Sequence, residues 1–407
     1  MFYLFFLFSS VIIPIIRRNF FGDYTYYSPK RCIFAEKLQQ MYLHEYKEWW
    51  KFRYDASAVM NKLAEVRARQ GRLLGELSAI GFSLQEEAQL ANLTIEIVKS
   101  SEIEGELLNL EQVRSSIAIR LGIPAAGIVP ASRYVEGVVE MMLDATQHYQ
   151  EPLTDERLFG WHNVLFPTGV SGLYKIDVAK YRTHDMQVVS GPMGFETVHY
   201  QAPAPERVPT EMSRFIEWFN GSDPIDPVLK AAIAHLWFVV IHPFDDGNGR
   251  IARALTELLL SRADETSKRF YSMSNQIQSD KKRYYEVLES TQKDDGEITE
   301  WLLWFLDCLD RSLKATDETL ASVLAKARFW ETYSETTFNE RQKKLINMLF
   351  DGFFGKLNTS KWAKIAKCST DTALNDINDL VKKGVLKKSE EGGRSTNYLF
   401  NFAPKIN

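Results

Sequence analysis

Apolar side chains recur at intervals of three and four residues along most of the chain, as in helices that bury one face. This spacing predicts helices over residues 49–77, 133–149, 158–165, 208–219, 227–241, 281–291 and 299–313. Ser83 and Glu86 have the spacing of a capping box, which predicts that a further helix opens there and runs towards residues 100–105. The fold class is therefore predicted to be mainly α.

Two segments in the middle of the chain break this pattern. Residues 186–190 and 196–201 are β-like, and the sequence Gly-Pro-Met-Gly at residues 191–194 joins them. Glycine and proline at such a position favour a tight turn, so the two strands are predicted to form a hairpin.

The last part of the chain, residues 338–407, reads as a separate module with the element order of a winged helix. The pattern predicts helices over residues 339–349, 359–366 and 370–383, then strands over 385–388 and 397–402 on either side of a turn at Gly392 and Gly393. In a DNA-binding winged helix, the second helix of the closely spaced pair would be the recognition helix.

Some charges of this module favour DNA binding and others oppose it. Five basic residues suit a phosphate backbone, namely Lys382, Lys383, Lys387, Lys388 and Arg394. However, the presumed recognition helix carries Asp371, Asp376 and Asp379, which repel phosphate. We therefore favour a role in protein docking or oligomer formation, and DNA stays open as a less favoured partner.

Composition narrows the class of protein. A length of 407 residues suggests two or three domains, and 45% hydrophobic with 25% charged residues is ordinary for a soluble globular protein. The net charge of −4 argues against a chain that mainly coats nucleic acid. Three widely spaced cysteines, Cys32, Cys308 and Cys368, imply neither a disulfide framework nor a zinc site, which fits the cytoplasm.

Residues 1–16 are almost wholly apolar and are followed by Arg17 and Arg18. The stretch is shorter than the ~20 residues of a spanning helix, and a secretory signal would carry its positive charge before the apolar residues. A membrane anchor is one interpretation. We prefer the other, in which the natural protein starts at Met41 and residues 1–40 are an upstream extension.

The strongest chemical signal is the sequence HPFDDGNGR from His242 to Arg250, which lies between two predicted helices. Glycines at two loop positions let backbone N–H groups turn inward, and the following helix adds its positive end, so the loop suits an anion. Asp246 offers an oxygen ligand for Mg²⁺, and His242 has an ordinary pKa near neutrality.

Two other motifs for metal or phosphate binding are not met by the sequence. Asp246 and Glu257 have the spacing of the first and last ligands of an EF-hand, but Arg250 occupies a liganding position and Ile251 replaces the required glycine. The Walker pattern GxxxxGK[ST] is absent from the sequence.

The stretch resembles the signature of the Fic family, H-x-F-x-[D/E]-G-N-G-R-x-x-R, and meets every specified position through Arg253. Fic proteins of this kind transfer AMP from ATP to a hydroxyl group of a target protein. The resemblance implies that His242 is the catalytic base and that Asp246 binds Mg²⁺. It also implies that the phosphates of ATP are held by Asp246, Gly247, Asn248, Gly249, Arg250 and Arg253.

A second string matches the inhibitory motif of the family, (S/T)-x-x-x-E-(G/N), at Ser100, Glu104 and Gly105. In relatives that carry this motif before the core, a helix presents the glutamate to the second arginine, here Arg253. A carboxylate in that place would compete with the γ-phosphate through charge-assisted hydrogen bonds. The resemblance therefore implies autoinhibition by Glu104.

Two further features are carried over more loosely. The predicted hairpin corresponds to the family's flap, on which a target segment would dock through backbone hydrogen bonds; its residues Val189, Ser190 and Gly191 would lie at the nucleotide. Tyr284 and Gln292 stand where relatives have a tyrosine and an amide at the adenine, although Tyr284 and Tyr285 could equally be core aromatics.

The resulting hypothesis is a cytoplasmic protein adenylyltransferase that uses ATP and Mg²⁺ and modifies Tyr, Thr or Ser hydroxyls, including its own. Expected domains are a helical region at residues 41–126, a Fic core at 127–318 and a winged-helix-like domain at 338–407. Three alternatives stay open: a DNA-binding regulator with an idle core, a Fic enzyme with another nucleotide, and an enzyme that also removes AMP. A homodimer is also left open.

Overall fold

The computed structural model describes residues 41–78, 81–123, 128–190, 197–350, 356–389 and 396–402. Several predictions concern residues outside these ranges: the N-terminal segment 1–40, Gly191 and the hairpin turn, and the Gly392, Gly393 and Arg394 region.

Helices dominate the described chain, so the mainly α fold class is confirmed. They are α1 (Ala56–Ser78), α2 (Phe82–Ile103), α3 (Leu110–Leu121), α4 (Arg133–Gln147), α5 (Asp155–Leu165), α6 (Val208–Asn220), α7 (Pro227–Ile241), α8 (Asn248–Asp264), α9 (Met273–Ser279), α10 (Lys281–Gln292), α11 (Thr299–Thr332), α12 (Glu340–Phe350), α13 (Thr359–Ala366) and α14 (Thr370–Lys382). Short 3₁₀ turns lie at Leu43–Glu45 and Pro205–Arg207.

The strands of the described residues form antiparallel pairs. They are β1 (Val170–Ser171) with β2 (Tyr174–Lys175), β3 (Gln187–Ser190) with β4 (Thr197–Gln201), and β5 (Leu386–Lys388) with β6 (Tyr398–Phe400). The β3–β4 pair is the predicted hairpin, here called the flap. Gln187 lies opposite Gln201 and Ser190 opposite Thr197, with an irregularity between Val188 and Val189.

The chain divides into two compact units, one ending at Leu313 and the other beginning at Lys314. Helix α11 was expected to end at Leu313 but continues to Thr332, so its last turns belong to the second unit. That unit therefore begins before residue 338, where the sequence pattern suggested a domain start. None of the described helices is both apolar enough and long enough to span a membrane.

Helices α7 and α8 lie at the centre of the first unit. Every residue of α7 from Val228 to Ile241 is buried, as expected for a helix that is apolar on nearly all sides. Trp301 of α11 donates from its indole N–H to the carbonyl of Ala232 at 2.8 Å, which fixes α11 against α7. The loop with the HPFDDGNGR sequence thus connects two largely buried helices, the first of which is fixed by α11.

The segment before α1 packs on the same centre. Trp49 and Phe52 contact Trp237 of α7 edge to face, with ring centroids 6.0 and 5.7 Å apart. A ring nitrogen of His44 lies 2.8 Å from the carbonyl oxygen of Gln201, at the end of the flap. The N-terminal region is therefore part of one compact body with α7 and the flap.

Helix α2 begins differently from the prediction. Gly81 is the N-cap residue and the helix starts at Phe82, without a side-chain cap hydrogen bond. Ser83 lies inside the first turn, so the predicted capping box at Ser83 and Glu86 is wrong. The extended backbone of Gly81 (φ −60°, ψ 151°) makes it the N-cap residue, so the helix starts two residues earlier than predicted.

In the second unit, the predicted order of three helices and two strands is present, around a core that contains Trp362, Leu345 and Ile377. The acids of α14 have a different role from the one we assigned. Asp376 is buried and accepts hydrogen bonds from Arg341 of α12, whose Nε lies 2.7 Å away. Asp379 accepts from Gln342 at 2.8 Å, so both acids stabilise the packing of α14 on α12.

In the first unit, two helical glycines give a matched test of how closely α4 and α5 pack. A Cβ on Gly137 of α4 would lie 1.9 Å from the carbonyl oxygen of Val164 in α5, whereas one on Gly160 would meet nothing within 4 Å. We expect Gly137→Ala to destabilise the protein by roughly 1–3 kcal/mol, the usual cost of overpacking. Gly160→Ala should instead stabilise it by about 0.5–1 kcal/mol. Urea denaturation measures both, and equal midpoints would contradict the close crossing of α4 and α5.

Candidate active site

His242 ends α7 in the left-handed backbone conformation, with φ 50° and ψ 59°. A non-glycine residue pays about 1–2 kcal/mol for this conformation. Its backbone N–H still donates to the carbonyl of Phe238 at 3.0 Å, so the chain leaves the helix in one residue. The sharp exit points the loop back towards the start of α8.

The His242 ring is buried, with only one nitrogen in contact with a partner. Nδ1 lies 3.3 Å from the carbonyl oxygen of Val239, which requires Nδ1 to carry the hydrogen. Nε2 is buried and has no hydrogen-bond partner among the described residues. Burial, followed by the nearby charge of Arg182, lowers the pKa of His242 to about 4. At neutral pH, Nε2 therefore presents a free lone pair.

Arg182 was missed by sequence reasoning, and it holds the His242 turn in place. Its guanidinium is buried and donates to four backbone carbonyls: His242 at 2.8 Å, His184 at 2.8 Å, Pro203 at 2.5 Å and Ile241 at 3.5 Å. Its own backbone N–H donates to Pro243 at 2.9 Å. No local sequence pattern marks this residue, because most of its partners lie 21 to 60 positions away along the chain.

Asn248 closes the loop through its side-chain amide. Nδ2 donates to the carbonyl of Phe244 at 2.7 Å, and Oδ1 accepts from the N–H of the same residue at 3.0 Å. One of the two Nδ2 hydrogens is therefore used within the loop, and the second is the one left for the expected donation to phosphate. Gly247 has φ 82°, and a Cβ there would lie 2.9 Å from the ring of Phe166, so conformation and space both require glycine.

Asp246 lies at the mouth of the loop with its side chain partly exposed. Oδ1 accepts from the N–H of Gly247 at 2.5 Å, and Oδ2 accepts from the hydroxyl of Ser171 in β1. Among the described residues no group of three or more acids, histidines or cysteines could hold a metal. One carboxylate nevertheless fits Mg²⁺ in a nucleotide site, where phosphates and water complete the coordination.

His162 supports the same loop and was also missed. Its Nδ1 lies 3.2 Å from the N–H of Ala179 and therefore accepts, so Nε2 donates to the carbonyl of Asp246 at 3.2 Å. The ring stacks on Phe244 with centroids 4.4 Å apart. Burial lowers the pKa of His162 to about 4, which keeps this arrangement neutral.

The two arginines of the motif are buried and paired with carboxylates from the end of α2. Arg253 donates from Nε to the hydroxyl of Ser100 at 2.8 Å and from one terminal nitrogen to Glu104 at 2.8 Å. Arg250 donates to Glu106 at 2.8 Å and to the hydroxyl of Tyr134 at 2.5 Å. The predicted pairing of Glu104 with Arg253 is therefore present.

Gly249 explains why the first turn of α8 must be free of a side chain. A Cβ at Gly249 would lie 2.2 Å from a carboxylate oxygen of Glu104. The Glu104 carboxylate therefore rests directly on the N-terminal turn of α8, where backbone N–H groups and the helix dipole favour an anion.

Tyr284, which was expected at the adenine, is a buried residue of α10. Tyr284 is buried, its hydroxyl lies 3.0 Å from Nε2 of His235, and its ring packs on Trp301 and Trp304. Tyr284 also lies at the arginine site, since burial raises its pKa and a hydrogen bond with Arg253 opposes that rise. Its role at the adenine therefore stays a prediction. The neighbouring Tyr285 also lies near this site, because the charge of Glu104 is, after burial, the largest cause of its raised pKa.

Gln292 ends α10 and is buried. No contact of its side chain connects it to the loop between α7 and α8 in the described residues. Its expected role at the adenine therefore stays a prediction.

The flap is tied to α10 by a chain of three polar side chains. Ser190 Oγ lies 2.6 Å from Nε2 of His199, and Nδ1 of His199 lies 2.8 Å from Glu289. Ser190 is on β3 and His199 on β4, so both strands are connected to the helix. Val189, which was expected at the nucleotide, is buried.

Two family models match the chain: residues 42–123 match a domain of unknown function (DUF4172), and residues 152–260 match the Fic/DOC family. Residues 152–260 form a Fic domain. The Fic domain thus contains the flap, α7, the loop and most of α8, while the DUF4172 match contains Ser100, Glu104 and Glu106.

Curated relatives carry the name protein adenylyltransferase Fic. The one from Nematostella vectensis is 26% identical over 54% of this chain and 47% of its own length. The one from Culex quinquefasciatus is 35% identical over 27% of this chain and 21% of its own length. The chain therefore spans about half the length of the first of these relatives and about a fifth of the second.

A solved structure supports the fold. The crystal structure of a Fic family protein from Desulfovibrio desulfuricans G20 matches 85% of this chain and 96% of that chain, with a TM-score of 0.50 and 20% identity. The similarity extends beyond the matched Fic segment, so the fold of much of the chain follows that of a Fic family protein.

Three buried histidines make the free energy of unfolding depend on pH. Burial lowers the pKa of His162 to about 4, of His235 to about 3 and of His242 to about 4. Between pH 6.5 and about 4 the unfolded chain therefore binds more protons, so the free energy of unfolding should fall as pH falls through this window. Urea denaturation at pH 7 and pH 5 measures the loss. His235→Gln should make it smaller, and an unchanged loss would contradict this assignment.

The Ser190–His199–Glu289 chain predicts how the flap is held. His199→Ala should disconnect the flap from α10, so the backbone amides of residues 187–190 and 197–201 should exchange hydrogen faster with solvent. Glu286→Ala provides a matched control, since Glu286 lies on α10 one turn away and pairs with Lys282 and Arg283. Hydrogen exchange read by mass spectrometry measures both variants. Unchanged exchange in His199→Ala would refute the connection.

Proposed function

We propose that this protein is a protein adenylyltransferase, which moves AMP from ATP to a Tyr, Thr or Ser hydroxyl of a target protein. The observation that carries the proposal is the geometry at the start of α8. A neutral histidine with a free Nε2 precedes a glycine loop, and two buried arginines lie within the first two turns of the helix. This arrangement combines a general base with a site for a polyphosphate.

The reaction we propose is an in-line displacement at the α-phosphorus of ATP. Nε2 of His242 accepts the proton of the target hydroxyl, and the hydroxyl oxygen forms a bond to the α-phosphorus. The bond from this phosphorus to the oxygen that bridges to the β-phosphate breaks, and pyrophosphate leaves. Because the base is neutral at pH 7, no prior deprotonation is needed.

The loop and the arginines would stabilise the charge of the phosphates. The N-terminal turn of α8 offers backbone N–H groups, and Arg250 and Arg253 offer guanidinium groups that can donate two hydrogen bonds at once. Asp246 would hold Mg²⁺, which supplies charge neutralisation between phosphate oxygens. Positioning and electrostatics account for most of the rate in such transfers.

Arg182 and His162 would act through the loop and not on the substrate. Arg182 fixes the His242 carbonyl, and His162 fixes the carbonyl of Asp246. Each bond sets the direction in which the neighbouring functional side chain points. A tight loop matters here because a displacement of about 1 Å costs much of the benefit of proximity.

The enzyme is proposed to be autoinhibited by Glu104. Its carboxylate accepts a hydrogen bond from a terminal nitrogen of Arg253 and lies against Gly249, where a phosphate would bind. ATP would then bind with its α-phosphate misaligned for attack. The opposite side of the site, the flap, would bind an extended segment of the target along a free strand edge.

We predict that Glu104→Gly increases adenylylation, including self-modification, by at least tenfold, because it frees Arg253 and the α8 N-terminus together. Intact-mass spectrometry with ATP and Mg²⁺ measures the gain of one adenylate per modified hydroxyl. Adding His242→Ala to the same protein should abolish the gain while ATP still binds. If the double variant modified itself at the rate of Glu104→Gly, the assignment of the base would be wrong.

A further inference from the structure

Both arginines of the phosphate site are held by carboxylates from a single short segment. Glu104 pairs with Arg253, and Glu106, two residues later, pairs with Arg250, each at 2.8 Å. The inhibitory string in the sequence includes the first glutamate only. Arg250 and Arg253 are nearly inaccessible, with side chains 2% exposed, whereas the two glutamates are 25% and 37% exposed.

The end of α2 explains how two nearby carboxylates reach two different arginines. The N–H of Gly105 donates to the carbonyl of Glu102 at 3.0 Å, and the N–H of Glu106 donates to that of Ser101 at 3.0 Å. This is the pair of hydrogen bonds of a Schellman motif, with Gly105 in the left-handed region at φ 85°. The turn reverses the chain, so Glu106 reaches Arg250 while Glu104 stays over Gly249.

The environment of Glu106 shows that it lies at the site itself. Burial raises the pKa of Glu106, the charge of Arg250 opposes that rise, and the carboxylates of Asp246 and Glu104 add to it. Arg250 lies between Glu106 and Asp246, with its guanidinium 4.9 Å from the centroid of the Phe166 ring. A phosphate that approaches Arg250 must therefore meet the Glu106 carboxylate.

We propose that Glu106 is a second inhibitory residue, which masks Arg250 as Glu104 masks Arg253. The proposal rests on the proposed function, since it assigns both arginines to the phosphates of ATP. The two carboxylates and the two guanidinium groups neutralise each other. A triphosphate must then displace both carboxylates before it binds with both arginines.

This arrangement predicts that inhibition has two separable parts. Removing Glu104 leaves Arg250 paired with Glu106, so the site is only half released. Removing Glu106 frees Arg250 and leaves Arg253 paired. Full release requires that both carboxylates leave the arginines.

A different role for Glu106 makes the opposite prediction. If Glu106 orients Arg250 for phosphate, as a supporting carboxylate often does for an arginine, its removal should weaken binding of ATP. The direction of the change in affinity therefore separates masking from positioning.

The test is the affinity for the α,β-methylene analogue of ATP with Mg²⁺, measured by calorimetry on the full chain. This analogue cannot be cleaved between the α- and β-phosphorus, so binding is measured without turnover. We expect Glu106→Ala to bind it about tenfold more tightly than the parent, in line with the loss of one charge-assisted competitor. Glu106→Gln should lie between them, because its amide oxygen still accepts from Arg250 without the charge.

Two further variants complete the design. Glu104→Ala with Glu106→Ala should bind more tightly than either single variant and show the highest self-adenylylation by intact mass. Glu102→Ala is the matched control, since Glu102 lies on the same helix end but pairs with Lys99 and Gln278. It should leave affinity unchanged.

The possible failures are distinguishable. Affinity that is unchanged or weaker in Glu106→Ala, in a protein whose Glu104→Ala variant gains affinity, overturns the second inhibitory role alone. If no variant binds the analogue, and none gains an adenylate from ATP, the proposed function fails as well. Thermal denaturation of each variant shows whether the fold is intact, and the exposed fraction of Glu106 favours an intact fold.

Discussion

The arrangement of the site depends on one backbone conformation, the left-handed residue at which α7 ends. Because His242 adopts it, the chain turns back at once and brings the imidazole close to the N-terminus of α8. An L-residue is strained in this conformation, so surrounding bonds must hold it. The buried guanidinium of Arg182 donates to the carbonyl of His242, and the amide of Asn248 holds the backbone of Phe244, two residues later.

A second level of organisation comes from outside the Fic domain. The region that matches DUF4172 contributes α2, and the end of α2 lies on the arginines of α8. The same region contributes Trp49 and Phe52, which contact α7. Within this unit the two family matches are thus parts of one packed body, in which the first covers the two arginines of the second.

The sequence predicted what depends on local spacing, and missed what depends on distant partners. The bounds of α7 and α13 follow from apolar periodicity, and the loop between α7 and α8 follows from adjacent residues with distinct chemistry. Arg182, His162 and Glu106 carried no such signal, since their partners are far away in the chain. The capping box failed because Gly81 could begin the helix without a side-chain cap.

The burial of α7 has an evolutionary consequence. The segment recognised as Fic, residues 152–260, ends inside α8, and several groups that cover α7 come from outside it, including Trp49 and Trp301. Transferred alone into another protein, this segment would expose apolar surface on its central helix. Recombination would therefore preserve it only together with its flanking helices, so the heritable module is larger than the recognisable motif.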